Sequence, residues 1–238
     1  DYAFADKHLL SLVYTTAFTD VKPYATVTGA QNSVTDSRSE GQLHNAKLDY
    51  QTPFGLKAGA EFTYYHSPGS QLLHSTLGEE TLNFLSRDNQ RINQWRFYAG
   101  QEHTLGKDWG LNYGVAYTTA LDNSYQMYYD PETEAPLPDN NMKSRRREQT
   151  VNFYAGLSKS FGEKLSADVS AAEQYHTDMW NEWSLYPVAN LTYLPAPGHI
   201  LQFSLSSDKE YPEYWSMQNS TSYMGAYSEI QGNPFLKP

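Results

Sequence analysis

The sequence predicts an all-β protein, an antiparallel meander that forms part of a transmembrane β-barrel. Three observations lead there. Apolar and polar residues alternate with period two in segment after segment, no stretch carries convincing helical spacing, and short turns alternate with long polar connections. The count is about nine or ten strands of roughly 10 to 13 residues, enough to cross a bilayer when tilted, and the expected form of this piece is an open curved sheet.

The elements follow in chain order. Short alternating stretches run from Leu10 to Tyr14 and from Ala46 to Tyr50. In FGLKAGAEFTYY, Phe54, Leu56, Ala58, Ala60, Phe62 and Tyr64 share one face, while Gly55, Lys57, Gly59, Glu61 and Thr63 share the other. After a short stretch at Trp95 to Ala99, LNYGVAYTT places Leu111, Tyr113, Val115 and Tyr117 opposite Asn112, Gly114, Ala116 and Thr118. Val151, Phe153, Ala155 and Leu157 form the next face, then Leu165, Ala167, Val169 and Ala171, then shorter runs at Ala189 to Tyr193 and Leu201 to Leu205.

Turn chemistry sets the connections. Tight turns rich in Gly, Pro and Asp are predicted at Asp6 to Lys7, Thr52 to Gly55, Leu105 to Asp108, Gly162 to Lys164 and Pro195 to Gly198. Long polar connections are predicted at Asp20 to Gly41, His66 to Arg91, Leu121 to Arg146 and Ser207 onward, with a brief one at Met179 to Glu182. Short turns at one end and long loops at the other are the habit of outer-membrane barrels. Aromatics make up 15% of the chain. Tyr64, Tyr65, Trp95, Trp109, Tyr113, Tyr117, Tyr175, Trp180, Trp183 and Tyr193 gather toward the predicted strand ends, where two interfacial girdles would sit.

Composition removes whole classes of function. A net charge of -10 repels phosphate and argues against nucleic acid as a partner. With no cysteine there is no disulfide, thiolate metal site or thiol nucleophile. His8, His44, His66, His74, His103, His176 and His199 are scattered without metal-ligand spacing, and no GxSxG, Walker or GxGxxG motif occurs. The expectation is a protein that is not an enzyme and has neither cofactor nor metal. The acidic stretch YDPETEAPLPDNN offers Asp130, Glu132, Glu134 and Asp139 as oxygen ligands for Ca²⁺, but without EF-hand spacing a solvated loop is the preferred reading. In KSRRRE, Lys143, Arg145, Arg146 and Arg147 at the foot of a long loop could meet lipopolysaccharide phosphates at the outer leaflet. A solvated cluster balancing the acidic loop beside it is the other reading.

The segment from Glu182 to Pro238 contains, in order, Tyr186-Pro187, the turn Pro195 to Gly198, a Ser-rich alternating strand from Leu201 to Ser207, Tyr211-Pro212-Glu213-Tyr214-Trp215, and a terminal GNPFLKP. This combination resembles the barrel of TonB-dependent outer-membrane receptors, in particular the outer-membrane β-barrel family common in Bacteroidetes. Tyr211 stands where that family commonly has Arg, which puts in doubt any ion pair relatives make there.

The resemblance implies that residues 1–238 are a partial β-barrel wall, with a plug domain and the remaining C-terminal strands expected outside this chain, in a receptor of about 22 strands. It also implies a bacterial outer membrane location, import of a scarce nutrient ligand, contact with outer-membrane lipid, and a TonB-type energy-coupling system acting through the plug. Ligand capture is expected from aromatics of the long loops, Tyr211, Tyr214, Trp215, Tyr223 and Tyr227, because rigid amphipathic rings are efficient recognition groups. Two other readings stand beside this one: a soluble extracellular carbohydrate-binding β-sandwich, and a surface adhesin or structural barrel.

Overall fold

The computed structural model describes residues 2–4, 8–138, 141–177, 181–212, 214–217, 221–225, 228–233 and 235–236. Alternation becomes strand along nearly all of this length. The strands are β1 (Tyr2–Phe4), β2 (His8–Val21), β3 (Tyr24–Val27), β4 (Gln31–Gln51), β5 (Leu56–Leu77), β6 (Glu80–Leu105), β7 (Trp109–Tyr129), β8 (Met142–Phe161), β9 (Leu165–His176), β10 (Glu182–Tyr193) and β11 (Leu201–Ser206). A 3₁₀ turn at Tyr214–Met217 and the hairpin β12 (Thr221–Gly225) and β13 (Ser228–Gln231) follow.

The first eleven strands form one antiparallel meander, β1-β2-β4-β5-β6-β7-β8-β9-β10-β11, with β3 pairing the outer part of β4. Strands β2 and β3 are one track interrupted at Lys22-Pro23, where proline lacks a donor. The Pro23 carbonyl still accepts from the Ser37 amide at 3.0 Å. No pairing joins β11 to β1 or β2 among the described residues, so the sheet is open, as expected. A β-sandwich would instead pack two sheets over a dry interior.

The short turns fall where predicted, apart from Asp6 to Lys7, which lies outside the described residues. Gly55 illustrates the requirement: its φ is 89° and an added Cβ would lie 2.7 Å from the Glu102 carbonyl oxygen, while the Thr52 amide closes the turn on the Leu56 carbonyl at 2.9 Å.

The long connections are the main correction. Strands of 20 to 26 residues in β4 through β8 replace the expected 10 to 13, because the stretches read as loops continue the same ladder as extended hairpins. Between His66 and Arg91 every residue is strand except Gly78 and Glu79 at the tip. Polar side chains are compatible with strand wherever both ladders are paired and the flanks are in water, so polarity alone was a poor sign of irregular backbone.

Register shows which side chains share a face. Leu12, Leu48, Ala60, Phe97, Tyr117, Val151, Tyr175 and Trp183 stand in one cross-strand row, and Leu157, Val169, Ala189 and Leu205 in another on the same face. Leu56, Ala58, Phe62, Val115, Phe153, Leu157 and Leu205 lie on this apolar face, as the alternation predicts for a lipid-facing set, whereas Phe54, expected with them, falls in the turn before β5. Lys57, Glu61, Asn112, Asn152, Asp168 and Ser204 lie on the other face. Outward aromatics mark two levels about ten residues apart, the length a tilted strand needs. Tyr64, Trp95, Tyr117, Tyr175 and Trp183 mark the outer level, and Trp109, Phe161 and Tyr193 the inner. In β8 and β9 the spanning parts are thus residues 151–161 and 165–175. Because β5, β6 and β7 continue outward, Tyr64, Trp95 and Tyr117 sit in mid-strand, whereas Tyr175 and Trp183 lie at strand ends as expected, and Tyr65 points inward. Trp180 lies outside the described residues.

Inward tyrosines pack on glycines of neighbouring strands. The Tyr154 ring covers Gly100 and Gly114, where an added Cβ would meet its hydroxyl at 2.2 and 2.6 Å, and Tyr98 covers Gly59 in the same way. Above the span, Leu73, Phe84 and Tyr128 form a small buried cluster joined by Leu82 and Leu137.

Candidate functional site

The inward face at the outer rim gathers ionisable and aromatic groups from four segments. Arg146 and Glu148 come from β8, His176 from the end of β9, Glu182 from the start of β10, and Lys209 and Tyr211 from the segment that follows β11. Alternation on β8 turns Arg146 and Glu148 inward and Lys143, Arg145 and Arg147 outward.

His176 is the centre. It is 4% exposed; its Nε2 lies 2.6 Å from the Glu148 carboxylate and its Nδ1 2.8 Å from the Thr177 carbonyl oxygen. Both ring nitrogens face acceptors, and only the imidazolium can donate from both. The Glu148 hydrogen bond therefore raises the His176 pKa against the opposing effect of burial, and the same bond holds the Glu148 carboxyl below its ordinary range. Arg146 adds a second cation 3.7 Å from Glu148. The Tyr211 ring stacks on His176 with centroids 4.5 Å apart and planes 17° from parallel, and its hydroxyl reaches Ser184 Oγ at 3.5 Å. Lys209 pairs with Glu182, pinning the segment beside the rim.

Below the cluster the inward face stays polar. Thr150 is the cross-strand partner of His176, and Arg96, Tyr98, Thr118, Asn152, Tyr154 and Gln174 line a cleft that continues into the span. Such a surface offers hydrogen-bond donors, acceptors and ring faces to a polar ligand. Among the described residues no group of His, Asp and Glu is arranged to hold a metal.

The sequence-derived candidates separate. Tyr211 is in the rim cluster. Tyr214 and Trp215 belong to the 3₁₀ turn, tied to the chain after β13 by the Asn233 amide donating to the Ser216 carbonyl at 2.7 Å, and Tyr223 lies on β12. Tyr227 lies outside the described residues. The basic run divides: Lys143, Arg145 and Arg147 are exposed on the outward face, whereas Arg146 is half-buried on the inward face with Glu148. Sequence reasoning missed Glu148 and His176. The signal for Glu148 was the alternation of KSRRRE itself, hidden while the run was read as the foot of a loop.

The acidic loop is a closed turn. The Asp130 carboxylate accepts from the Thr133 amide and hydroxyl at 2.8 Å each and from the Glu132 amide at 3.1 Å. Those bonds, led by Thr133, hold its pKa below the ordinary value and direct the carboxylate at its own backbone. Asp139 lies outside the described residues.

No curated protein matches this chain at a significant level. A family model described as the outer membrane protein beta-barrel family matches residues 55–238. With the open antiparallel sheet, its outward apolar band and its two aromatic levels, this match shows that the chain belongs to the outer membrane protein β-barrel family and resides in the bacterial outer membrane.

Proposed function

We propose that this chain forms part of the wall of a TonB-dependent receptor importing a scarce nutrient, with capture at the outer rim and energy-coupled release through a plug domain. One observation carries the reading: the polar inward surface runs from the Tyr211, His176 and Glu148 cluster at the rim into the cleft lined by Arg96, Tyr98, Asn152 and Tyr154. A ligand held at the rim would have hydrogen-bonding groups along its inward path, which a scaffold or adhesin does not require. The ordered motifs from Tyr186-Pro187 to GNPFLKP support the same reading. Capture and coupling belong to the whole receptor, and this wall contributes part of its hydrogen-bonded scaffold and one side of the path.

The test is uptake by cells carrying the intact gene, the deletion, or Tyr211→Ala, using labelled siderophores, cobalamin, glycans and peptides, with and without a protonophore. The expected result is loss of one ligand class on deletion, the same loss with the protonophore, and weakened capture in Tyr211→Ala. Unchanged uptake of every class, with a fall in surface attachment, would replace the receptor by the adhesin.

A further inference from the structure

Outward-facing positions from the outer aromatic level upward have an unusual charge pattern. Across β5 to β8, the three successive outward positions are Tyr64, His66 and Pro68; Asn93, Arg91 and Asn89; Leu121, Asn123 and Tyr125; and Arg147, Arg145 and Lys143. No Asp or Glu is among them, in a chain with a net charge of -10. Arg91, Lys143, Arg145 and Arg147 are all exposed and have no acidic partner among the described residues. The next arginine outward on β6 behaves differently: Arg87 pairs with Glu134 at 3.0 Å and lies over the Tyr129 ring. The acidic loop thus neutralises Arg87 and leaves the lower group unpaired.

Depth gives the group its meaning. Arg145 and Arg147 line an open cleft together with Trp95 and Leu121. Trp95 packs on Phe62 at 4.7 Å and on Phe97 at 6.0 Å, and so belongs to the girdle where headgroups meet acyl chains. Two residues further along a tilted strand is about 5 Å higher, the level of lipid phosphates. Arg91 and Arg145 share a cross-strand row two strands apart, about 10 Å, so forks from both could close on one phosphorylated headgroup.

We propose that Arg91, Arg145 and Arg147, with Lys143 at the margin, form a binding site for the phosphate groups of an anionic outer-leaflet lipid, whose acyl chains lie along Trp95 and Leu121. The site requires only the membrane placement of the sheet and is independent of ligand import. A lipid satisfies both halves of the cleft: its phosphates take the guanidinium forks, and its chains cover apolar area that the sheet leaves exposed. A free phosphate satisfies only the first.

The experiment uses the full-length protein in detergent micelles and measures lipid retention by native mass spectrometry. The probes are phosphorylated lipopolysaccharide, the same lipid dephosphorylated enzymatically, and inorganic phosphate as competitor. Retention of the phosphorylated lipid should fall at least about tenfold on dephosphorylation and by a similar factor in the double variant Arg145→Gln, Arg147→Gln, with strong salt dependence. Arg146→Gln, on the opposite face, should retain lipid like the parent. The outward variants break no ion pair, so their urea midpoints should match the parent and a retention loss cannot be assigned to misfolding. Equal retention of phosphorylated and dephosphorylated lipid, retention unchanged in the double variant, or full displacement by millimolar inorganic phosphate would each overturn the lipid site.

Discussion

The lower and upper parts of the same strands bury opposite faces. Within the span, apolar side chains point outward and stay accessible, with Leu12 68% and Phe153 48% exposed. Above the girdle, the buried apolar residues Leu73, Phe84 and Tyr128 project from the other face, with Ser86 opposite Tyr128 and the buried pair Ser33 and Ser75 on the same face beside Leu73. The outward face there becomes charged, with Asp20, Lys22, Arg38, Glu40, Arg87 and Arg91. The hydrogen-bond ladder is continuous through both parts, so backbone pairing does not distinguish them. Solvent does: lipid takes an outward apolar face, whereas in water the ribbons hide apolar groups inward, under the loop that supplies Leu137. The height at which the apolar face inverts is where the bilayer ends.

The largest effect should come from charging the lipid face. Leu157→Arg, near the middle of the span on β8, is expected to cost about 2 to 4 kcal/mol, and Ser158→Arg, on the inward face of the same strand, much less. Urea unfolding of the full-length protein in lipid vesicles measures both. Equal costs would remove the assignment of faces.

Cavity creation in the upper part comes next. Leu73 is 1% exposed, and Leu73→Ala is expected to cost about 2 to 3 kcal/mol, the lower part of the usual range because so small a cluster can collapse. The loss should appear as local opening of the β5 to β7 hairpin tips by hydrogen exchange while exchange within the span is unchanged. Faster exchange in both parts would show that they fold as one unit.

Both parts were differently legible in the sequence. FGLKAGAEFTYY declares its face at once, because lipid rewards uninterrupted apolar alternation. The upper part of β5, SPGSQLLHSTL, does not, because adjacent Leu72 and Leu73 break the alternation and only Leu73 is buried. The rim was least legible. Tyr211 was visible as a loop aromatic, but its partner His176 is far along the chain in strand order and becomes a neighbour only through the segment folding back after β11.

A smaller, more local effect concerns the Tyr-on-Gly contacts that fill the inward face. In Gly114→Ala the added Cβ would meet the Tyr154 ring and the Ala99 carbonyl oxygen, each at 2.6 Å. The expected cost is about 1 to 3 kcal/mol by overpacking, partly recovered when Tyr154→Ala frees the ring side. Full recovery would mean that the ring alone excludes the methyl group.

The smallest effect lies at the boundary between the two parts, where the His176 and Glu148 pair links β8 to β9 just above the span. The pKa of His176 is raised from its ordinary value of 6.5, so its contribution is complete below that pH and is lost as pH rises through the raised value. The pKa of Glu148 is lowered from its ordinary value of 4.5, so its contribution is complete above that pH and is lost as pH falls through the lowered value. Both contributions are whole between those ordinary values. Arg146 disfavours the charged histidine slightly but favours the charged glutamate, and Tyr211 covers the ring from the other side. Raising the pH from 6 to above the raised pKa of His176 should therefore neutralise the ring, break the 2.6 Å ion pair and loosen the segment carrying Lys209 and Tyr211, while the span is unaffected. Hydrogen-exchange protection of residues 207–212, corrected for intrinsic rates, should fall across this range in the parent and stay flat in His176→Gln. Equal protection at both pH values in the parent would show that stacking and the Lys209 to Glu182 pair hold the segment without the charge on His176.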